Sequence, residues 1–363
     1  MPAQAGGAGA GRKPCAASRE NRSPPGGSLF QPVPVVKHSV VVIGSFVQDL
    51  AFYTKNFPRP GESVVGDFRL CPGGKGFNQA VAASRAGVST LFVGAVGPDA
   101  FGQRAKLFAR QAGLPAQFVV KPKHATGAAV VTVNAAGQNQ IVVSLGANLG
   151  MRPRDVPAYL LAPAQVVVCQ GESDYATVAF VLRTARKNGA ITVFNPAPMR
   201  AEFDPALLRH TEVLIPNESE FILLVKKCPV CAALLRTAPF NASGDFTEAA
   251  LRAIPADALH RLCRCLQVPV VIVTLGARGC FVSQPDVYMR INAHDVEVVD
   301  TTGAGDAFVG GFAAGLVKFK HNIFEAAHYA NAVAALSVMQ PGTAPSMPIA
   351  REIARFLKKR DHQ

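Results

Sequence analysis

The stretch VEVVDTTGAGDAFVGGF, Val296 to Phe312, brings together residue types able to do chemistry at close spacing. Its alternating β-branched residues predict a strand ending at Asp300. Gly303, Ala304 and Gly305 then permit a tight turn, and an amphipathic helix is predicted to begin near Asp306. In such a turn several backbone N–H groups and the positive end of a helix dipole converge on one point, which suits phosphate oxygens. A carboxylate there opposes an anion unless it has separate work, and taking a proton from an attacking hydroxyl is such work. Asp is equally at home as a helix N-cap, so spacing alone leaves Asp306 open between general base and cap.

A second glycine cluster, CPGGKGFNQAVAASRAG from Cys71 to Gly87, opens another helix. Gly73 and Gly74 allow close backbone approach, while Lys75 and Asn78 offer donors to an uncharged polyol. Glycine before a helix is also ordinary turn chemistry. Two familiar nucleotide motifs are excluded. GAGDAF has Phe308 where a dinucleotide fingerprint needs its third glycine, and Lys75 is followed by Gly76 rather than the Ser or Thr of a P-loop.

Short β-branched runs must position these clusters. Strands are predicted at Val40–Gly44, Thr90–Gly94, Val166–Gln170, Ile191–Asn195, Val213–Pro216, Val270–Leu275 and Val296–Asp300. Helices are predicted at Gly76–Ala86, Ala100–Ala112, Asp174–Asn188, Ala256–Leu266 and Ala307–Phe319. Nearly continuous apolar strands separated by helices imply an α/β fold of three layers around a mostly parallel sheet. Segments 50–70 and 126–144 break the rhythm and read as small antiparallel strands, either a lid over a ligand site or an edge extension.

Hydrophobic residues make up 49% and charged residues 17% of the 363, a globular mixture rather than a disordered, collagenous or coiled-coil chain. Residues 1–37 differ: six Gly, six Ala and six Pro with a single acid, Glu20, read as a disordered basic tail ahead of one folded domain at 38–360. Organelle targeting ranks below that reading, because the tail lacks amphipathic periodicity. The balance of 37 basic against 24 acidic residues gives +13. The basic residues are scattered without interleaved aromatics, so they read as a solvated surface and no nucleic-acid partner is expected. No apolar run approaches about 18 residues, so no membrane span is expected either. Eight cysteines without a signal-peptide core imply a reducing compartment, the cytoplasm, with the nucleus an option in a eukaryote. CPVC (Cys228–Cys231), Cys263 and Cys265 invite a zinc reading, but incidental thiols are favoured.

GGKGFNQAVAA and DTTGAGDAF are similar to the two signature regions of the ribokinase-like carbohydrate kinases. NPAPMR (Asn195–Arg200), PNESE (Pro216–Glu220) and TLGARG (Thr274–Gly279) resemble the intervening motifs in the same order. The resemblance covers Ser39 to Leu357, and GGKGFNQA, GANL (Gly146–Leu149) and NPAP together are most similar to the ribokinase branch. It implies transfer of the γ-phosphoryl of ATP to O5 of D-ribose, with Asp306 as base and the Gly303, Ala304 and Gly305 amides as anion hole. Asp49, Gly73, Gly74, Lys75, Asn78 and Glu172 fall on sugar-binding positions. Asn217 and Glu220 match a magnesium- and phosphate-associated motif, which without the resemblance reads as a capped helix start. Thr274, Gly276, Gly279 and Asn331 would line the adenosine cleft, although the helix carrying Asn331 also reads as simple packing. An activating potassium ion is implied beside Asp300, Thr302, Gly342 and Ser346, with Ser337 and Gln340 as further candidates. The bland reading of GTAPS is a turn.

Val47 stands where many bacterial relatives carry an Asn that contacts the sugar. Valine cannot donate, which leaves room for 2-deoxyribose, another pentose or a nucleoside. Phe77 replaces a small residue beside Asn78 and is expected to fill the core. A catalytically idle sugar- or nucleotide-binding protein is the alternative from another class. Alternation at Ala128–Val133 and Gln140–Val143 predicts a homodimer through the lid.

Overall fold

The computed structural model describes residues 37–360 except 137, 238–239 and 241–244. The predicted tail, apart from Lys37, lies outside the described residues. In chain order the elements are β1 (Val40–Ile43), β2 (Val47–Tyr53), β3 (Asp67–Gly73), α1 (Lys75–Arg85), β4 (Thr90–Val96), α2 (Ala100–Gln111), β5 (Ala116–Val120), β6 (Gly127–Val133) and β7 (Asn139–Ser144). Then come β8 (Val166–Gln170), α3 (Tyr175–Lys187), β9 (Ile191–Asn195), β10 (Val213–Leu214), α4 (Glu218–Lys227), α5 (Pro229–Leu234), α6 (Glu248–Ala253) and α7 (Ala256–Cys265). The chain continues with β11 (Val270–Thr274), β12 (Cys280–Ser283), β13 (Tyr288–Ile291), α8 (Ala304–Lys318), α9 (Ile323–Ser337) and α10 (Ala350–Arg360).

Nine strands form the main sheet in the order β13-β12-β11-β10-β9-β8-β1-β4-β5, parallel except for the antiparallel edge pairs β11–β12 and β12–β13. Every residue of β1 is buried, because both faces are covered. The alternation of a strand divides them: Val40 and Val42 join the core under α1 and α8, while Val41 and Ile43 join the opposite core under α3, α4 and α7. These are the three expected layers. Phe77 sits in the first core, edge-on to Phe46 at 5.3 Å and Phe92 at 5.5 Å.

The second sheet has the order β3-β2-β6-β7. Its outer pairs are antiparallel and its central pair, β2–β6, is parallel. Val47 lies buried between Gly73 and Gly127 at the end of this sheet nearest β1.

Two predicted features near the chemistry differ. Val296–Asp300 is not a strand: among the described residues no strand pairs with it, Val298 and Val299 are exposed, and the Val299 and Asp300 amides both donate to Val338 O at 2.8 and 3.1 Å. The helix expected near Asp306 begins two residues earlier, at Ala304. It is buried from Asp306 to Leu316 rather than amphipathic, because α1 and α9 enclose it along with the sheet. Among the described residues, no helix is long and apolar enough to cross a membrane.

Candidate active site

Sheet order reverses around β1, whose chain neighbour β4 lies on one side and later-arriving β8 on the other. In such sheets ligands bind beyond the carboxyl ends of the strands at the reversal. Ser45 and Glu172 follow β1 and β8, Asn195 and Thr274 end β9 and β11, and Asn217 follows β10. A cleft of about 200 Å³ opens there, lined by Lys75, Asn195, Asn217, Glu220, Thr274 and Asp306 together with Gly303 and Gly305.

Asp306 is the third residue of α8 and only 6% exposed. The helix is capped by Gly303 in a left-handed conformation, φ +80°, and no side chain caps its first turn. Asp306 is therefore not an N-cap. Its carboxylate instead accepts one hydrogen bond on each oxygen, from Asn78 Nδ2 at 2.9 Å and Gln79 Nε2 at 3.0 Å. Of the three amides in the turn, Ala304 N–H donates to Thr301 O at 3.2 Å, while those of Gly303 and Gly305 have no acceptor among the described residues. The free amides and the carboxylate share the mouth of one helix.

The residues predicted for a sugar converge from the other direction. Asp49 lies opposite Cys71 in the β2–β3 pair, and a side chain at Gly73 would collide with its carboxylate. Burial, then the charges of Glu172 and Asp306, push Asp49 up to about 7. Glu172 accepts from Ser45 Oγ and from Lys75 N, the latter at 2.9 Å. Burial raises its pKa, although Lys75 opposes the rise. Burial disfavours the Lys75 ammonium, but Asp306, Glu172 and Glu220 outweigh it and hold it above its ordinary value. Gly74 immediately precedes α1 with φ +90°. Asn78 Oδ1 is buried without a partner among the described residues.

On the nucleotide side the capped-helix reading of PNESE holds: Asn217 Oδ1 accepts from Glu220 N at 2.8 Å, and Glu220 Oε2 accepts from Asn217 N at 2.9 Å. The cap does not account for Glu220 being buried in the cleft near Lys75, where burial raises its pKa. Thr274 bridges to Asn217, and its amide donates to Pro216 O at 2.9 Å. Gly276 and Gly279 bound the following turn, which Arg278 ties to Glu218 and thence to Arg252. Asn331 directs its amide to the Asn292 and Ile291 carbonyls at 3.3 and 3.5 Å, fastening α9 beside β13.

Asp300 gathers part of the predicted cation loop, accepting from Thr302 N at 2.8 Å and Gly342 N at 2.9 Å. Ser346 Oγ and Ser337 Oγ turn back on Thr343 O and Ala334 O, at 2.7 and 2.8 Å. Gln340 N donates to Ser337 O at 3.3 Å. The carbonyl oxygens of Asp300 and Thr302 take no hydrogen bond among the described residues, so hard oxygen donors are available. Among the described residues no group of three or more His, Cys, Asp or Glu could hold a metal ion by itself. Burial pushes the Cys263 thiol up to about 12.

Sequence reading missed Gln79, Gln170 and Asn195. All three are buried and hydrogen-bonded in a chain that ends on Asp306. The signal was the second amide of Asn78-Gln79, placed one position further round α1.

The pfkB family carbohydrate kinase model matches residues 37–350. Over 322 residues the chain is 36% identical to the ribokinase of Mus musculus, covering 87% of this chain and 93% of that protein. It is 32% identical over 322 residues to the deoxyribokinase of Salmonella typhimurium, covering 88% and 98%. The structure of Arabidopsis thaliana ribokinase complexed with ribose and ATP matches with a TM-score of 0.72 at 27% identity, over 89% of this chain and 99% of that one. With the fold, the order of motifs and these matches in agreement, the chain belongs to the pfkB family of carbohydrate kinases.

Proposed function

We propose that the chain transfers the γ-phosphoryl of ATP to O5 of D-ribose, giving ribose 5-phosphate and ADP. The observation that carries this is the Asp306 carboxylate, held at both oxygens beside the free Gly303 and Gly305 amides. In the step, the O5 proton passes to Asp306, the O5–Pγ bond forms and the bond from Pγ to the bridging oxygen breaks, so ADP leaves. The Gly303–Gly305 turn receives the phosphoryl oxygens, with the Ala304 amide exchanging Thr301 O for the anion.

Asp49 and Glu172 would accept from sugar hydroxyls, and Lys75 would donate. Asn78 Oδ1, a buried acceptor left over after its amide has served Asp306, would take a further hydroxyl. Thr274, Gly276, Gly279 and the shelf under Asn331 would receive the adenosine. Glu220 fits a water-mediated magnesium site because one carboxylate oxygen remains for the cleft, and the Asp300, Thr302 and Gly342 region offers backbone oxygens to potassium. Magnesium, when bound, neutralises phosphate charge. A cytoplasmic homodimer joined through the second sheet completes the reading.

Coupled ADP release tests it. Asp306→Asn should lower kcat with ribose by about a hundredfold to ten-thousandfold, with folding intact by circular dichroism. Full turnover in that variant removes Asp306 as base. A second reading, phosphorylation of 2-deoxyribose, is supported by apolar Val47 and by the Salmonella relative. Rates for ribose against 2-deoxyribose, with and without potassium, separate the two.

A further inference from the structure

The two hydrogen bonds on Asp306 have different origins. Asn78 donates from an amide whose other end is unpartnered, whereas Gln79 sits in a buried relay whose direction is fixed from the Asn195 side. The relay starts at Ile215 O, which can only accept. Asn195 must therefore point Nδ2 toward it, at 2.7 Å, which leaves Asn195 Oδ1 facing Gln79. Gln79 Nε2 donates to that oxygen at 3.1 Å and, with its second hydrogen, to Asp306 Oδ1 at 3.0 Å. These two acceptors keep the Gln79 amide from being reversed; on its other side Gln170 Nε2 donates to Gln79 Oε1 at 2.7 Å, while Gln170 Oε1 is buried without a partner among the described residues. The backbone of one strand end thus sets the polarity of a hydrogen bond on α8.

We propose that Gln79 is a positioning residue for phosphoryl transfer, holding the Asp306 carboxylate in its productive orientation through the amide relay from Asn195 and Gln170. The proposal rests on Asp306 being the base. Gln79 touches neither sugar nor nucleotide in this scheme; it fixes the rotation of the carboxylate and supplies a donor to its ionised form.

Gln79→Met keeps the length of the side chain and deletes the amide. It should lower kcat by about tenfold to a hundredfold, while KM for sugar and for ATP stays within about twofold by the same logic of a transition-state effect. In an Asp306→Asn background, assayed on residual turnover, the same substitution should cost less than about twofold, since coupled groups are not additive. If Gln79→Met does not fold, Asn195→Ala carries the test, leaving Gln79 in place but held from one side only. Asn195→Ala should show a smaller loss of kcat, again with KM for sugar and ATP little moved.

An unchanged kcat in Gln79→Met beside an inactive Asp306→Asn overturns the positioning role alone. So does a loss that persists undiminished in the Asp306→Asn background, or a loss accompanied by an equal rise in KM. Full turnover in Asp306→Asn by itself overturns the base, and with it the reading on which the relay depends.

Discussion

Burial, reinforced by the neighbouring charges of Glu172 and Asp306, moves the Asp49 carboxyl from 3.8 up to about 7. If Asp49 accepts two sugar hydroxyls it must be ionised, so KM for the sugar should rise as pH falls below about 7. A KM profile flat with pH in the wild type would remove Asp49 from sugar binding, and Asp49→Asn should abolish the dependence. The same shift acts on stability with a definite sign. The folded state binds this proton more tightly than the unfolded state, so the contribution of Asp49 is greatest at low pH and is lost as pH rises through about 7. Asp49→Asn should therefore raise Tm at pH 8, with the gain shrinking toward pH 4, in thermal melts of the two proteins side by side. The contrast between Asp49 or Asp306 and the relay shows what a sequence displays at single positions. Asp306 was visible because a carboxylate beside a glycine turn is chemically odd. Gln79, Gln170 and Asn195 are ordinary amides whose meaning lies in partners 91 to 227 positions away, which no local pattern encodes.

Helices α1 and α8 bring the two halves of the site together, and glycine sets how closely they approach. A Cβ at Gly310 would run into the Gln79 carbonyl and lie 2.6 Å from Ala82 Cβ. Gly310→Ala should cost about 1–3 kcal/mol through overpacking. It should also lower kcat, because the carbonyl it displaces belongs to the residue that holds Asp306. Gly305 faces open space, so Gly305→Ala should leave Tm nearly unchanged yet impair phosphoryl transfer by projecting a methyl into the mouth of the helix. Equal effects of the two substitutions on Tm and kcat would refute this division. The strands β1, β8, β9 and β11 were readable because a strand covered on both faces is mostly apolar, with polar Gln170, Asn195 and Thr274 at the carboxyl ends that meet the cleft. Val296–Asp300 misled for the complementary reason: β-branched residues favour extended backbone, but a strand needs a neighbour, and among the described residues its amides find only the end of α9. The same displaced boundary hid the true start of α8 and made Asp306 resemble a cap.

The second sheet has one face toward the cleft and one face turned away from it. Its register puts Leu70, Leu50, Val130 and Val142 in one row, and Phe68 and Phe52 lead the adjacent row on the same face. The alternating face carries Asp49, Cys71 and Ala129, and Asp49 lies within electrostatic reach of Glu172 and Asp306. The sheet therefore turns one surface toward Glu172 and Asp306 and an apolar one away from them, with Val142 75% exposed. Strand character was visible in 50–70 and 126–144, but the parallel β2–β6 pair joins segments some 80 residues apart, so the shared faces emerge only on folding. An apolar sheet face of this kind is covered most economically by its own copy, related by a twofold axis. Light scattering should give a dimer at micromolar concentration, and Val130→Asp with Val142→Lys should give a monomer. Because β2 carries Asp49 on its opposite side, the monomer should show a raised KM for the sugar with KM for ATP little changed. A wild-type monomer would remove the interface, and a monomeric variant with unaltered sugar KM would separate assembly from the site.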